Sequence, residues 1–117
     1  MRRRQSGAGG DLLAGTLDML ILRSLQPGPV HGLGIAQDIE RRSDEVLLVE
    51  QGSLYPALYR LEERGWIASF WGTSDSRRRV RFYRLTSKGK RQLAAESSLW
   101  ETLAQAVARV MHPGTLK

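Results

Sequence analysis

Apolar residues recur at three- and four-residue spacing near the start of the chain, a period typical of helices that bury one face. Leu17 and Ile21 lie four residues apart and predict a first helix from about Thr16 to Leu25. Thr16 suits the N-cap position, where its hydroxyl can accept a first-turn N–H. Residues 26–32 contain two prolines and two glycines, so they are expected to end this helix.

Two further helices are predicted in the middle of the chain. The second runs from about Leu33 to Arg42 and the third from about Ser53 to Arg64. Gly65 follows the third helix directly, which suits a left-handed residue that ends it. Between the two helices, the short apolar stretch from Val46 to Glu50 predicts a small strand.

Aromatic and β-branched residues dominate the next two segments, residues 66–72 and 80–86. The polar residues 73–79 join them, so the pair predicts a β-hairpin with a fairly long loop. In its second strand, Tyr83 and Leu85 are expected to face the core. Arg81 shares their side, so whether it faces the core or the solvent stays open. A last helix is predicted from an N-cap at Thr86 to about Met111, ended by Pro113 and Gly114.

This order of elements predicts a mainly α fold with a β-hairpin, of the α+β class. Three compact helices followed by a hairpin form a winged helix-turn-helix. We expect residues 1–10 to be a disordered basic arm, 11–86 the winged helix-turn-helix domain, 87–112 a C-terminal dimerisation helix and 113–117 a tail. The apolar stripe of the last helix has no remaining partner in so small a domain, which favours a homodimer. The residues expected at this dimer interface are Leu93, Trp100, Leu103, Val107 and Val110.

Composition narrows the possible functions. The chain has 117 residues, 41% of them hydrophobic, a net charge of +6 and no cysteine. The length suits one domain, and the positive charge favours a polyanionic partner such as nucleic acid. The absence of cysteine excludes disulfides, thiol catalysis and cysteine-based metal centres, and a reducing cytoplasm is the expected location. Charged residues interrupt every apolar run near the N-terminus, so we expect no association with a membrane.

The third helix has a polar side of unusual composition. On a helical wheel, Pro56 and Tyr59 lie opposite the apolar residues, and Tyr55 and Arg60 flank this pair. Ser53 lies at the predicted N-terminus of the helix. The arginine can reach guanine N7 and O6 or a phosphate, and the tyrosines and the helix N-terminus can bind phosphates. The proline is expected to cost little in the first turn. The alternative is that the tyrosines pack against the hairpin or a neighbouring helix.

The positive charge is concentrated in and after the hairpin. No acidic residue lies between Asp75 and Glu96, whereas eight of the chain's 18 basic residues do. A run of charge is usually a solvated face. Here it coincides with a hairpin beside the candidate recognition helix, where a wing would meet the DNA backbone or minor groove.

Four blocks of the sequence resemble the PadR family of bacterial winged-helix transcriptional regulators: GTLDMLILRSL, GPVHGLGIAQDIE, EQGSLYPALYRLEERGWI and RFYRLTSKGKRQL. The resemblance covers roughly Leu12 to Met111, and the GSLYPALYRLEERG block is its most specific part. It implies a sequence-specific regulator of double-stranded DNA, usually a repressor, that is often released by a small molecule. The resemblance also implies that the protein is bacterial and cytoplasmic, and that it is nucleoid-associated when bound to DNA.

The resemblance also assigns residues by their place in the motifs. It puts Ser53, Tyr55, Pro56, Tyr59 and Arg60 on the recognition helix. It puts Arg77, Arg78 and Arg79 at the wing tip, beside Arg81 of the return strand, and adds backbone contacts from Thr16, Gly32 and Lys88. One departure is Leu33, where the family often has an aromatic residue. We expect no separate effector domain, so a ligand would bind at the dimer interface. Trp100 is the candidate there, and the alternative is that it only fills the seam between helices.

Two rival functions remain to be weighed. The first is an enzyme, but His31 and His112 are the only histidines, and no nucleophile, metal-binding or phosphate-binding motif accompanies them. We therefore predict no catalytic residues, no metal and no cofactor. The second rival is a winged-helix protein-interaction module that does not bind DNA, against which the outward arginines argue.

Overall fold

The computed structural model describes residues 16–114 and confirms the predicted α+β class. Its elements are α1 (residues 16–24), β1 (Val30–His31), α2 (Gly32–Arg42), α3 (Gln51–Glu63), β2 (Ile67–Thr73), β3 (Arg79–Leu85) and α4 (Ser87–Met111). The three strands form one antiparallel sheet in the order β1-β3-β2. The N-terminal arm and the last three residues of the tail lie outside the described residues.

One hydrophobic core joins the first three helices, the base of the hairpin and the start of α4. The helical period explains which residues enter the core, because residues three or four positions apart lie on the same face of a helix. Its members are Leu17, Ile21, Leu22, Leu25, Ile35, Ala36, Ile39, Val49, Leu54, Ala57, Leu58, Leu61, Ile67, Tyr83, Leu85 and Leu93. The predicted orientation of Tyr83 and Leu85 toward the core is therefore confirmed.

The predicted small strand at Val46 to Glu50 is wrong. The segment is irregular, and it follows two consecutive left-handed residues, Asp44 and Glu45. Two of its N–H groups bond to side chains rather than to a neighbouring strand: that of Leu47 donates to the Ser43 hydroxyl and that of Val49 to the Glu40 carboxylate, both at 3.0 Å. A strand forms instead at Val30–His31, where β3 offers a free edge.

The start of α3 also differs from the prediction. The helix begins at Gln51 rather than Ser53, so Pro56 lies in its second turn and not its first. Since proline has no N–H, the carbonyl of Gly52 loses its usual intrahelical donor. Gly52 is exposed, so water can bind this carbonyl. The predicted N-cap role of Thr16 is likewise wrong, because residue 16 is already helical.

The end of α3 and the start of α4, which flank the hairpin, have the predicted helix-ending and helix-capping residues. Gly65 has φ of +77°, its N–H donates to the Glu62 carbonyl and the Trp66 N–H to the Leu61 carbonyl, which is a Schellman motif. The Thr86 hydroxyl accepts from the Gly89 N–H at 3.0 Å and so caps α4. These ends fix the base of the hairpin against the neighbouring helices.

Candidate nucleic-acid interface

The outer face of α3 carries the five residues that the sequence analysis selected. Ser53, Tyr55, Pro56, Tyr59 and Arg60 are all exposed, while the opposite side of the helix is buried in the core. Tyr59 is 65% exposed and Tyr55 45% exposed. The helix therefore presents one continuous polar and aromatic surface to solvent.

Tyr55 combines the two alternatives that the sequence left open. Its ring is exposed on one side and packs over Gly32 on the other. A Cβ at position 32 would lie 3.0 Å from Cε1 and 3.2 Å from the hydroxyl oxygen of this tyrosine. Gly32 is itself buried, so it supports the ring of Tyr55 and is not an exposed backbone contact.

The N-terminus of α3 is open. Its N-cap residue, Glu50, makes no side-chain capping bond, and the first turn holds no acidic side chain. The N–H groups of Ser53 and Leu54 both donate to the Glu50 carbonyl. The N–H groups of Gln51 and Gly52 come before the first intrahelical hydrogen bond of α3. The positive end of the helix dipole favours an anion beside them.

Two of the outward side chains on α3 are held by carboxylates. Arg60 donates from Nη2 to Oδ1 of Asp18 in α1 over 2.7 Å. Tyr59 hydrogen bonds to Glu63 one turn later, and this bond, with the negative charge of Glu63, raises the pKa of the tyrosine. Sequence spacing indicates the contact of Tyr59 with Glu63, which are four residues apart. It does not indicate the contact of Arg60 with Asp18.

The β2–β3 hairpin, hereafter the wing, ends in a tight turn. The Arg77 N–H donates to the Ser74 carbonyl at 2.9 Å, and the Ser74 N–H donates to the Arg78 carbonyl at 2.8 Å. Arg77 has φ of +64°, a region that glycine occupies more readily. Arg77 and Arg78 are both exposed, so the turn presents two cations at the end of the wing.

One face of the wing carries an aromatic residue that the sequence analysis did not select. Trp71 pairs with Arg81 across the strands and is 53% exposed. The guanidinium carbons of Arg79 and Arg81 lie 4.4 and 5.6 Å from the Trp71 ring centroid, within the range of cation–π contact. The alternation of the strand was the available signal, because it places Trp71 on the same face as these two arginines.

Arg81, which the sequence left ambiguous, lies above the core and is exposed. Its Nε donates to the Ser69 hydroxyl at 3.0 Å, and that hydroxyl donates to Glu62 at 2.6 Å. Glu62 also approaches the Arg81 guanidinium at 3.9 Å. The wing is thus connected to the last turn of α3 through a polar chain.

An open groove of about 710 Å³ separates the wing from α3 and the start of α2. Tyr55 and Trp71 line it together with Arg78 and Arg81. Tyr83 is almost fully buried at its floor, and this burial raises the pKa of its hydroxyl. The groove has both aromatic surface and positive charge, the combination that suits a nucleic-acid backbone.

Two of the predicted backbone contacts lie apart from this groove. Lys88 is exposed on the first turn of α4, and its side chain approaches Gly65, which follows the C-terminus of α3. It is therefore near the end of α3 opposite Ser53. Thr16 is half-buried on α1.

The predicted dimer face is only partly available. Leu93 is 5% exposed and packs in the core of its own chain, so its assignment to the dimer interface is wrong. It lies on the second turn of α4, where the helix still covers the base of the hairpin. The other four predicted residues are exposed, with Trp100 at 45% and Val110 at 78%; two further large apolar side chains, Leu99 and Met111, are exposed near them.

No group of three or more His, Asp or Glu residues within residues 16–114 is arranged to hold a metal ion. Among the helices described, none has the length and apolar character needed to cross a membrane.

Comparison with known proteins identifies the family. The model of the Transcriptional regulator PadR-like family matches residues 21–95. The transcriptional regulator Rv3488 of Mycobacterium tuberculosis is 36% identical over 87 residues, which cover 74% of this chain and 78% of that protein.

Solved structures agree with this match. A transcriptional regulator from Clostridium thermocellum has a TM-score of 0.76 at 29% identity, over 85% of this chain and 93% of its own. A PadR family transcriptional regulator from Eggerthella lenta has a TM-score of 0.73 at 31% identity, over 92% and 91% of the two chains. The family consists of DNA-binding regulators rather than enzymes, which confirms the expectation that the protein is not an enzyme. The protein belongs to the PadR-like family of transcriptional regulators.

Proposed function

We propose that the protein is a repressor that binds a dyad-symmetric operator as a homodimer, with α3 in the major groove and the wing over the backbone or minor groove. The observation that carries this proposal is the exposed Tyr, Pro and Arg face of α3 beside a cationic wing. An α-helix fits the major groove, where base pairs are distinguishable.

The residues divide into two kinds of contact. Arg60 is the base-reading residue, because its guanidinium can donate to both N7 and O6 of guanine. Ser53, the open N-terminus of α3 and the hydroxyl of Tyr55 bind phosphates and set the register. The exposed arginines of the wing tip, Arg77 and Arg78, supply sequence-independent attraction to the backbone.

The exposed half of α4 supports the homodimer. Trp100, Leu103 and Val107 form an apolar stripe along a helix that no described part of the chain covers. A second copy supplies a matching stripe, and a two-fold pair buries both. Two recognition helices then read half-sites about one helical turn, roughly 34 Å, apart.

A small-molecule effector would bind at the dimer interface, beside Trp100. Trp100 is a large aromatic side chain on the face that the second copy would cover, and a ligand stacked on it would alter the angle between the two α4 helices. The alternative is that Trp100 only fills the interface. Quenching of its fluorescence by a candidate ligand, with release of the operator, distinguishes the two.

The test is an electrophoretic mobility assay with the DNA upstream of the protein's own gene. We expect specific binding that weakens steeply with salt, because displaced counterions drive much of the affinity. Arg60→Ala should relax the preference for one base pair at a cost of about 1–3 kcal/mol. Arg78→Ala should weaken all sequences alike and reduce the salt slope by about one.

The matched control is Arg109→Ala, which removes one positive charge from the exposed last turn of α4. It should leave the preference for the operator unchanged. Equal losses on every sequence for Arg60→Ala and Arg78→Ala would contradict the division of roles. Absence of any retarded complex would favour the protein-interaction module. Transcription from the bound promoter in a purified system then tests repression, which predicts less transcript as the protein is added.

A further inference from the structure

The arginine proposed to read bases is anchored by a residue from another helix. Arg60 and Asp18 are 42 positions apart in the chain and meet through a 2.7 Å contact between Nη2 and Oδ1. The Asp18 side chain is 16% exposed, whereas that of Arg60 is 43% exposed. The carboxylate is therefore held on α1 at the edge of the core, and the guanidinium reaches out past it.

This arrangement differs from that of the wing-tip arginines. Within residues 16–114, the side chains of Arg77 and Arg78 make no ion pair, so they are free to follow a phosphate. A guanidinium has five N–H donors in a rigid plane, and one bond to a fixed acceptor restricts how the rest are directed. The contact uses one Nη2 hydrogen of Arg60 and leaves the other donors for a ligand.

We infer that Asp18 is a positioning residue that orients Arg60 for base recognition; this inference rests on the proposed major-groove function of α3. An ordered side chain loses less conformational freedom on binding than a mobile one. The carboxylate also repels nearby phosphates, which weakens binding to all sequences alike. Asp18 thus lowers the affinity for DNA in general. At the same time it increases the difference in affinity between operators with the correct base pair and operators with another.

The experiment measures discrimination, defined as the ratio of dissociation constants for the operator and for operators changed at the base pair that Arg60→Ala relaxes. Asp18→Asn keeps the size of the side chain and removes its charge. We expect its discrimination at that base pair to fall about five- to tenfold, part of what one bidentate contact provides. Its affinity for unrelated DNA should be equal to or greater than that of the original protein.

A double-mutant cycle tests whether Asp18 acts through Arg60. The double variant Asp18→Asn with Arg60→Ala should discriminate no worse than Arg60→Ala alone, since the residue that Asp18 orients is already gone. A general structural role of Asp18 would instead add a further loss. Glu45→Gln is the charge control, because it removes one carboxylate from the exposed segment between α2 and α3. It should keep the original discrimination, and melting curves of all variants should show a folded protein.

The outcomes separate this inference from the proposal on which it rests. If the original protein shows no preference for its operator, the proposed function fails and the inference fails with it. If the original protein discriminates and Asp18→Asn keeps that discrimination within twofold, only the inference is overturned. It is also overturned if the double variant is markedly worse than Arg60→Ala.

Discussion

The two halves of α4 form one continuous helix in two different environments. The first two turns, Ser87 to Leu93, pack against the base of the hairpin, where Gly89 and Leu93 are buried. From Leu99 onward the large apolar side chains are exposed, although they continue the same helical stripe. Periodicity along a helix therefore shows which face is apolar, but the surrounding fold decides whether the same chain or another covers it.

The largest effect is expected at the closest packing of the first half. A Cβ on Gly89 would lie 1.9 Å from the carbonyl oxygen of Trp66, a backbone atom, so rotation of a side chain cannot relieve the clash. We expect Gly89→Ala to lower the free energy of unfolding by at least about 3 kcal/mol or to prevent folding. Denaturant titration followed by circular dichroism measures this.

Gly28→Ala is the matched control, because nothing lies within 4 Å of a Cβ at that position. It should change the free energy of unfolding by less than about 1 kcal/mol. Similar stabilities of the two variants would mean that α4 does not approach the hairpin as closely as described.

The next effect concerns the second half. Leu103→Asp places a charge in the middle of the proposed dimer interface, where burial without a partner is costly. We expect the dimer dissociation constant to rise at least about 100-fold, with helix content retained. Analytical ultracentrifugation over a concentration series measures it.

Leu93→Ala changes the first half of α4 instead, because it removes core packing within one chain. It should lower the melting temperature, at a cost of about 2–5 kcal/mol, while the folded protein remains a dimer. A monomeric original protein, or a Leu93→Ala variant that dissociates while Leu103→Asp does not, would reverse our assignment of the two halves.

The smallest effect is at the joint between the hairpin and α4. The Thr86 hydroxyl accepts from the Gly89 N–H and donates to the Gly65 carbonyl at 2.6 Å. Thr86→Ala should cost about 1 kcal/mol, typical of a lost N-cap. Thr86→Ser, which keeps the hydroxyl, should recover most of this loss in the same unfolding experiment. If serine and alanine are equally destabilising, the methyl group and not the cap matters at this position.

Features that depend on a few neighbouring residues could be predicted from the sequence. Thr86 as an N-cap and Gly65 as a left-handed helix end follow from local chemistry. The strand at Val30–His31 could not, because two residues form a strand only when another part of the chain presents an edge. The irregular segment at 46–50 is the converse case, an apolar stretch with no strand beside it.

The same distinction applies to the candidate site. The exposed face of α3 follows from helical periodicity, and all five selected residues are exposed on it. The contact of Arg60 with Asp18 joins residues 42 positions apart, and no local pattern indicates it. The burial of Leu93 likewise depends on how α4 approaches the sheet. The division of roles among these residues in DNA binding stays a prediction.

The packing of Tyr55 over Gly32 restricts how this protein can change. Any side chain larger than hydrogen at position 32 must displace the aromatic ring, which lines the groove between α3 and the wing, by a few tenths of an ångström or more. The width of that space therefore depends on a glycine at the start of a different helix. A substitution at position 32 can therefore change this spacing without altering any residue of α3 or of the wing.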